Sequence, residues 1–198
     1  MASSFTTNYG FEEIATGEQS GSWGTTTNFN YDILDRIASY KSVALSDAST
    51  ATLTVREASP GSGTENLQNG MYRVIKFTGS LSQNCTITIA PNTTTSYFLF
   101  VNATNRSLIL SQGSGANVTI ATSSADIVYC DGAGSGAAVA SFLANSLVLG
   151  GFSTASATIT GGSITGITDL VVADGGTGVS TLTDGGVLLG SGTGAITA

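Results

Sequence analysis

The sequence predicts a mainly β protein: an extended N-terminal arm with one short helix, a small antiparallel β-sandwich, and then a Gly-rich β shaft. Three observations predict it. Short segments with alternating apolar and polar residues recur at roughly ten-residue spacing through the middle of the chain. Only one stretch places apolar residues at helical spacing. The closing stretch from Thr158 to Ala198 is built almost wholly from Gly, Thr, Ser, Val, Leu and Ile.

The arm comes first. Residues 1–50 are read as one N-terminal region, opening on a segment with spaced aromatics (Phe5, Tyr9, Phe11 and Trp23) separated by Ser, Thr, Asn and Gly. So short a segment cannot form a core of its own. It either folds back on its own domain or inserts aromatic anchors into a partner, the way interface hot spots act, and docking is the expected role. Glu12, Glu13 and Glu18 imply a partner surface that is neutral or basic. The helix is expected from about Asn30 to Tyr40. Phe29, Ile33 and Ile37 recur at i+4, with Leu34 on the adjacent face. Thr27, Asn28 or Asn30 would cap its start, and Asp32 and Arg36 form an i, i+4 pair.

The sandwich is expected over residues 51–145. Its strands are read at Thr52–Val55, Tyr72–Phe77, Thr86–Ile89, Ser96–Val101, Ser107–Leu110, Asn117–Ala121 and Asp126–Cys130. Turn residues separate them, among them Pro60-Gly61, Asn69-Gly70, Pro91-Asn92 and Asp131-Gly132. Gly132–Gly136 is read as a hinge leading out of the sandwich. Cys85 and Cys130 share parity with apolar neighbours and are expected as buried thiols, a bond between them being the alternative. Asn-X-Ser/Thr triplets start at Asn84, Asn92, Asn102, Asn105 and Asn117, as a chain rich in Asn and Thr produces by composition alone.

The shaft is expected over residues 146–198. Asp-Gly-Gly occurs at Asp174–Gly176 and again at Asp184–Gly186, and the apolar runs Leu170–Val172 and Val187–Leu189 are broken by Gly pairs. Such a segment lacks the bulk for a single-chain core, yet it is too apolar for disorder. Small residues let three backbones approach a common axis, and closed symmetry buries strand edges, so a homotrimer is expected.

Composition narrows the function. The chain has 198 residues and a net charge of −7, with charged residues only 10% of the total and no His. Every Lys and Arg lies between Arg36 and Arg106. That balance disfavours nucleic acid and anionic membrane surfaces. There is no apolar run of the length that spans a bilayer, and Met1-Ala2-Ser3-Ser4 lacks the charged start and apolar core of a signal peptide. Without His, the Ser-His-Asp and Cys-His arrangements and the usual zinc sites are excluded. No Lys follows Lys76 to serve a phosphate loop. Gly175-Gly176-Thr177-Gly178 lacks the Asp of a calcium nonapeptide, Ser180 standing in its place. The carboxylates form no glycosidase pair. No catalytic residue, cofactor or metal is expected.

The residues also carry a resemblance. Glu18-Gln19-Ser20-Gly21-Ser22-Trp23-Gly24-Thr25-Thr26-Thr27-Asn28, followed by Asp32-Ile33-Leu34-Asp35, resembles the N-terminal region of many bacteriophage tail-fibre proteins. Tyr72–Leu81 and Val128–Gly132 resemble the β domain that follows it there. Ala173-Asp174-Gly175-Gly176-Thr177-Gly178 is similar to the Gly-rich repeat of phage fibre shafts, particularly in phages of marine cyanobacteria. The resemblance implies a trimeric, non-enzymatic virion protein, made in the host cytoplasm. Its N-terminal part would attach to a tail protein of adaptor or nozzle type, and a distal receptor-binding tip beyond Ala198 would reach the host cell surface. Phe5, Tyr9, Phe11, Trp23, Phe29, Ile33 and Ile37 are the expected partner-binding residues. The alternatives are a capsid head fibre or other virion appendage, the N-terminal scaffold of a polysaccharide depolymerase, or a β domain that grips glycans by itself. The last would need an exposed aromatic platform, whereas Tyr72, Phe77, Tyr97, Phe98, Phe100 and Tyr129 mostly fall within apolar strand patterns.

Overall fold

The computed structural model describes residues 2–142; the expected shaft over 146–198 lies outside the described residues. In chain order the elements are β1 (Ser4–Phe5), β2 (Glu12–Glu13), α1 (Trp23–Ile37), β3 (Tyr40–Ala44), β4 (Thr50–Thr54), β5 (Val74–Thr78), β6 (Cys85–Ala90), β7 (Ser96–Asn102), β8 (Leu108–Ser111), β9 (Val118–Ile120), β10 (Ala125–Cys130) and β11 (Val139–Ser141). Single 3-10 turns lie at Asn69–Met71 and Gly134–Gly136. The described residues are mainly β with one α-helix, as the sequence predicts.

The sandwich is not antiparallel. From β3 to β8 successive strands alternate between a five-stranded sheet, ordered β11-β10-β7-β5-β3, and a four-stranded sheet, ordered β4-β6-β8-β9. Within each sheet the strands laid down this way run parallel: β3 with β5, β5 with β7, β4 with β6 and β6 with β8. The chain therefore winds through three coils, crossing once through each sheet per coil. Parallel neighbours need a long crossover, and here the crossover is the intervening strand of the opposite sheet. The direction then reverses. β9 pairs antiparallel with β8, β10 with β7, and β11 with β10.

One core lies between the two sheets. Ile75 and Phe77 from β5, Phe98 and Phe100 from β7 and Val128 from β10 meet Leu53 from β4, Ile87 and Ile89 from β6, and Leu108 and Leu110 from β8. The Phe98 and Phe100 rings stack at 4.8 Å between centroids, and Phe100 lies 5.4 Å from Phe77. Side chains on a strand alternate between its faces, and these residues occupy the inward positions of their strands.

The helix departs from expectation. It starts at Trp23, well before Asn30, and ends at Ile37. Its N-cap is Ser22, which makes no side-chain capping bond. Thr27, Asn28 and Asn30 lie inside it. Gly132–Gly136 is not a hinge leading out of the fold either. It is a compact turn followed by β11, and the Ser114 and Gly115 N–H groups donate to the carbonyls of Ser135 and Ala137 at 2.8 and 3.1 Å. Cys85 and Cys130 are both buried and both free. Asn102, one of the triplet asparagines, is fully buried.

Candidate interaction surfaces

The N-terminal segment is fastened to the body by polar contacts. Glu12 is a buried carboxylate whose backbone clasps Asn30 of the helix. Its N–H donates to Asn30 Oδ1 at 2.9 Å, and its carbonyl accepts from Asn30 Nδ2 at 3.0 Å. Its carboxylate accepts from the Gly63 N–H at 2.7 Å, from the Ser62 hydroxyl and from the Gln19 amide. Burial alone would raise the Glu12 pKa, but the bonds from Ser62, Gly63 and Gln19 together hold it below the ordinary glutamate value. Gln19 in turn accepts from Thr26, the first buried residue of α1.

Farther along the arm, Asn8 Oδ1 accepts from the Thr95 N–H at 3.1 Å. The Tyr9 hydroxyl lies 2.7 Å from Ser96 Oγ. The Arg73 guanidinium sits between the Tyr9 and Tyr97 rings, 4.8 and 4.7 Å from their centroids, a favourable cation–π arrangement. It also donates to Ser96 Oγ and to the Tyr97 carbonyl at 3.0 and 2.9 Å. The residues expected to bind a partner thus separate. Ile33 is buried, and Tyr9 packs against the protein's own core. Phe5, Phe11, Phe29 and Ile37 are half-buried. Trp23 alone among them stands out in solvent.

Once the helix is known to begin at Trp23, its outer face becomes apparent. Trp23, Tyr31 and Leu34 fall at i, i+8 and i+11 and share one stripe. Trp23 and Tyr31 are each 62% exposed and Leu34 54%. The face beside this stripe carries Thr26 and Ile33, which are buried. Near its C-terminus Arg36 ties the helix down, donating to the Gln68 carbonyl at 3.2 Å and lying over the Tyr72 ring at 5.4 Å. A helix beginning near Asn30 would leave Trp23 off this stripe; the observed start at Trp23 brings it onto one face with Tyr31.

A second exposed apolar surface is the outer face of the five-stranded sheet. Cross-strand register places Tyr97 of β7 opposite Tyr129 of β10, and Leu99 opposite both Ile127 of β10 and Val74 of β5. Tyr40 of β3 lies opposite Val74. Tyr97 is 60% exposed, and Tyr129, Tyr40 and Leu99 are exposed as well. Phe142, whose N–H donates to the Ile127 carbonyl at 2.8 Å, adds an exposed ring beside them. Tyr97, Ile127, Val128, Tyr129 and Phe142 line a shallow groove of about 270 Å³. An exposed aromatic surface therefore does exist in the β domain, contrary to the expectation from the strand patterns. By strand parity Lys76 is the one charged side chain directed outward from these five strands. Asp126 shares parity with the buried Val128 and Cys130 and accepts from the Ser141 hydroxyl at 2.9 Å.

Among the described residues no group of three or more His, Cys, Asp or Glu side chains is placed to hold a metal ion. The two thiols are chemically muted. Burial raises the pKa of Cys85, and burial together with the neighbouring Asp131 pushes Cys130 up to about 12. Thiols need to ionise before they act as nucleophiles. In comparisons with protein-family models, with curated proteins and with solved structures, nothing matched this chain.

Proposed function

We propose that this chain is a structural protein of a virion, a phage tail fibre whose N-terminal region anchors to the tail and whose Gly-rich segment begins a shaft leading to a distal receptor-binding tip. The observation that carries the reading is the outward stripe of Trp23, Tyr31 and Leu34 on the helix, adjoining the arm. A tryptophan and a tyrosine held on a rigid helix, with few rotamers left to immobilise, make effective anchors. Within this reading Trp23 keeps the anchoring role expected of it, and Tyr31 and Leu34 join it. Tyr9 and Ile33 support the anchor from within, because they fix the arm and the helix to the body. The protein works without catalysis, as a homotrimer, in the tail of the virion. Burying an anchoring aromatic contributes roughly 2 kcal/mol or more, and three copies around one axis multiply the effect through effective concentration.

The test is incorporation into particles. W23A combined with Y31A alters only exposed side chains, so the folded oligomer should persist while its occupancy on tails falls at least tenfold. Normal occupancy would remove the helix stripe as the anchor, and decoration of the capsid instead of the tail would favour a head fibre. The outward Tyr97 and Tyr129 pair supports a second reading, in which the β domain grips glycans. A loss of glycan binding in Y97A would establish it, and the absence of binding by the wild-type protein would dismiss it.

A further inference from the structure

We propose that the outer face of the five-stranded sheet is the surface through which copies of this chain meet. The inference builds on the trimeric reading above and names the interface it lacks.

Three observations favour a second copy as the occupant. The first is extent: from Tyr40 through Val74, Leu99 and Ile127 to Phe142, apolar residues cross the whole width of the sheet without interruption. A glycan would engage the Tyr97 and Tyr129 rings but has no use for the aliphatic row beside them. The second is charge. A chain with a net charge of −7 repels its own copies at most surfaces. No carboxylate of β3, β5, β7, β10 or β11 is directed outward, since Asp126, the only one these strands carry, faces the other way. A surface built for a basic partner would show the opposite. The third is continuity. Phe142 stands on this face, and the chain runs on from it into the segment whose composition calls for association with other copies. Contiguous exposed apolar patches of this kind mark interaction surfaces, and three such faces turned toward a common threefold axis leave no sheet face open to stray association.

The experiment uses the full chain and reads this face directly. Y129C and, as a control, Y31C are labelled with a maleimide while the mass in solution is followed by light scattering. Both native cysteines are buried. In the trimer, Cys labelling at position 129 should be at least tenfold slower than at position 31. Adding L99E and I127E to Y129C should restore the fast rate, with the circular dichroism spectrum retained. A trimer labelled equally fast at both positions overturns the interface while leaving the trimeric reading intact. A wild-type protein that is monomeric at all concentrations overturns both. Protection at position 129 that persists when dilution has produced monomers shows that the chain covers its own face, and it too overturns the proposal.

Discussion

Removing the Asn102 side chain should weaken the fold more than its small size implies. Asn102 closes β7 and is fully buried. Its Nδ2 donates to the carbonyls of Arg106, Ile120 and Ala121 at 2.8, 3.0 and 3.1 Å, and its Oδ1 accepts from the Thr104 N–H at 3.0 Å. One amide therefore ties the bend from β7 into β8 to the point where the chain leaves β9 for β10. In N102A two of these groups keep other partners. The Arg106 carbonyl lies 2.9 Å from the Thr104 hydroxyl, and the Ala121 carbonyl accepts from the Ser124 N–H at 3.3 Å. The Ile120 carbonyl and the Thr104 N–H lose their Asn102 bonds in a site closed to solvent. Each buried group left unsatisfied costs on the order of 1–3 kcal/mol, so a loss of about 3 kcal/mol is expected. For a body of this size that lowers the melting temperature by roughly 10 °C. The assay is urea and thermal unfolding of N102A beside Q83A, which alters an exposed glutamine and should unfold with the wild type. A loss for N102A below about 1 kcal/mol, within the worth of one ordinary hydrogen bond, would refute the reasoning.

Three further outcomes are expected. G70A should destabilise by about 2–3 kcal/mol through overpacking, because its Cβ would lie 2.6 Å from the Thr54 carbonyl oxygen and 2.8 Å from the Val55 nitrogen; denaturant titration gives the value. The Glu12 pKa is lower in the folded state than the unfolded value of 4.5. Its contribution is therefore full above that value and is lost as pH falls through the folded pKa. The stability gap between wild type and E12Q should accordingly shrink in unfolding curves taken from pH 6 down into the acid range, and a gap that widens would contradict the assignment. Cys85 and Cys130 should resist a thiol-specific reagent at pH 8 in the native protein and react fully once it is denatured, which thiol titration checks.

Seven strands were legible because each buries one face, and burial writes a period of two into the residues. Their direction was not legible, since alternation is the same in parallel and antiparallel strands. Only the switch of sheet at each turn makes these strands parallel, and turn residues such as Asn69-Gly70 mark a bend without saying where it leads. β3 was missed because Tyr-Lys-Ser-Val-Ala presents Tyr40, Ser42 and Ala44 outward and little to the core. β11 was hidden by the Gly-rich turn before it. The first turns of the helix, Gly24-Thr25-Thr26-Thr27-Asn28, have poor helix propensity. They are held by tertiary contacts instead, Gln19 bonding Thr26 and Glu12 clasping Asn30. The anchoring surface was half legible: Trp23 stood out by its bulk, while Tyr31 joins it only when the helix has its full length. Tyr97 and Tyr129 have the same period as core residues, and nothing local distinguishes the outer from the inner side of a sheet that is apolar on both.

The winding of β3 to β8 bears on how the protein comes off the ribosome. Each parallel strand joins its sheet beside the strand synthesised before it, so a coil can settle on its predecessor without waiting for distant sequence. The body can accumulate in the order of translation, and the antiparallel turn through β9, β10 and β11 ends that growth. The arm is the exception. Asn8 and Tyr9 find their partners in Thr95 and Ser96, 87 residues later. The arm is made before the body it packs on, and it reaches these partners only once β7 has been laid down.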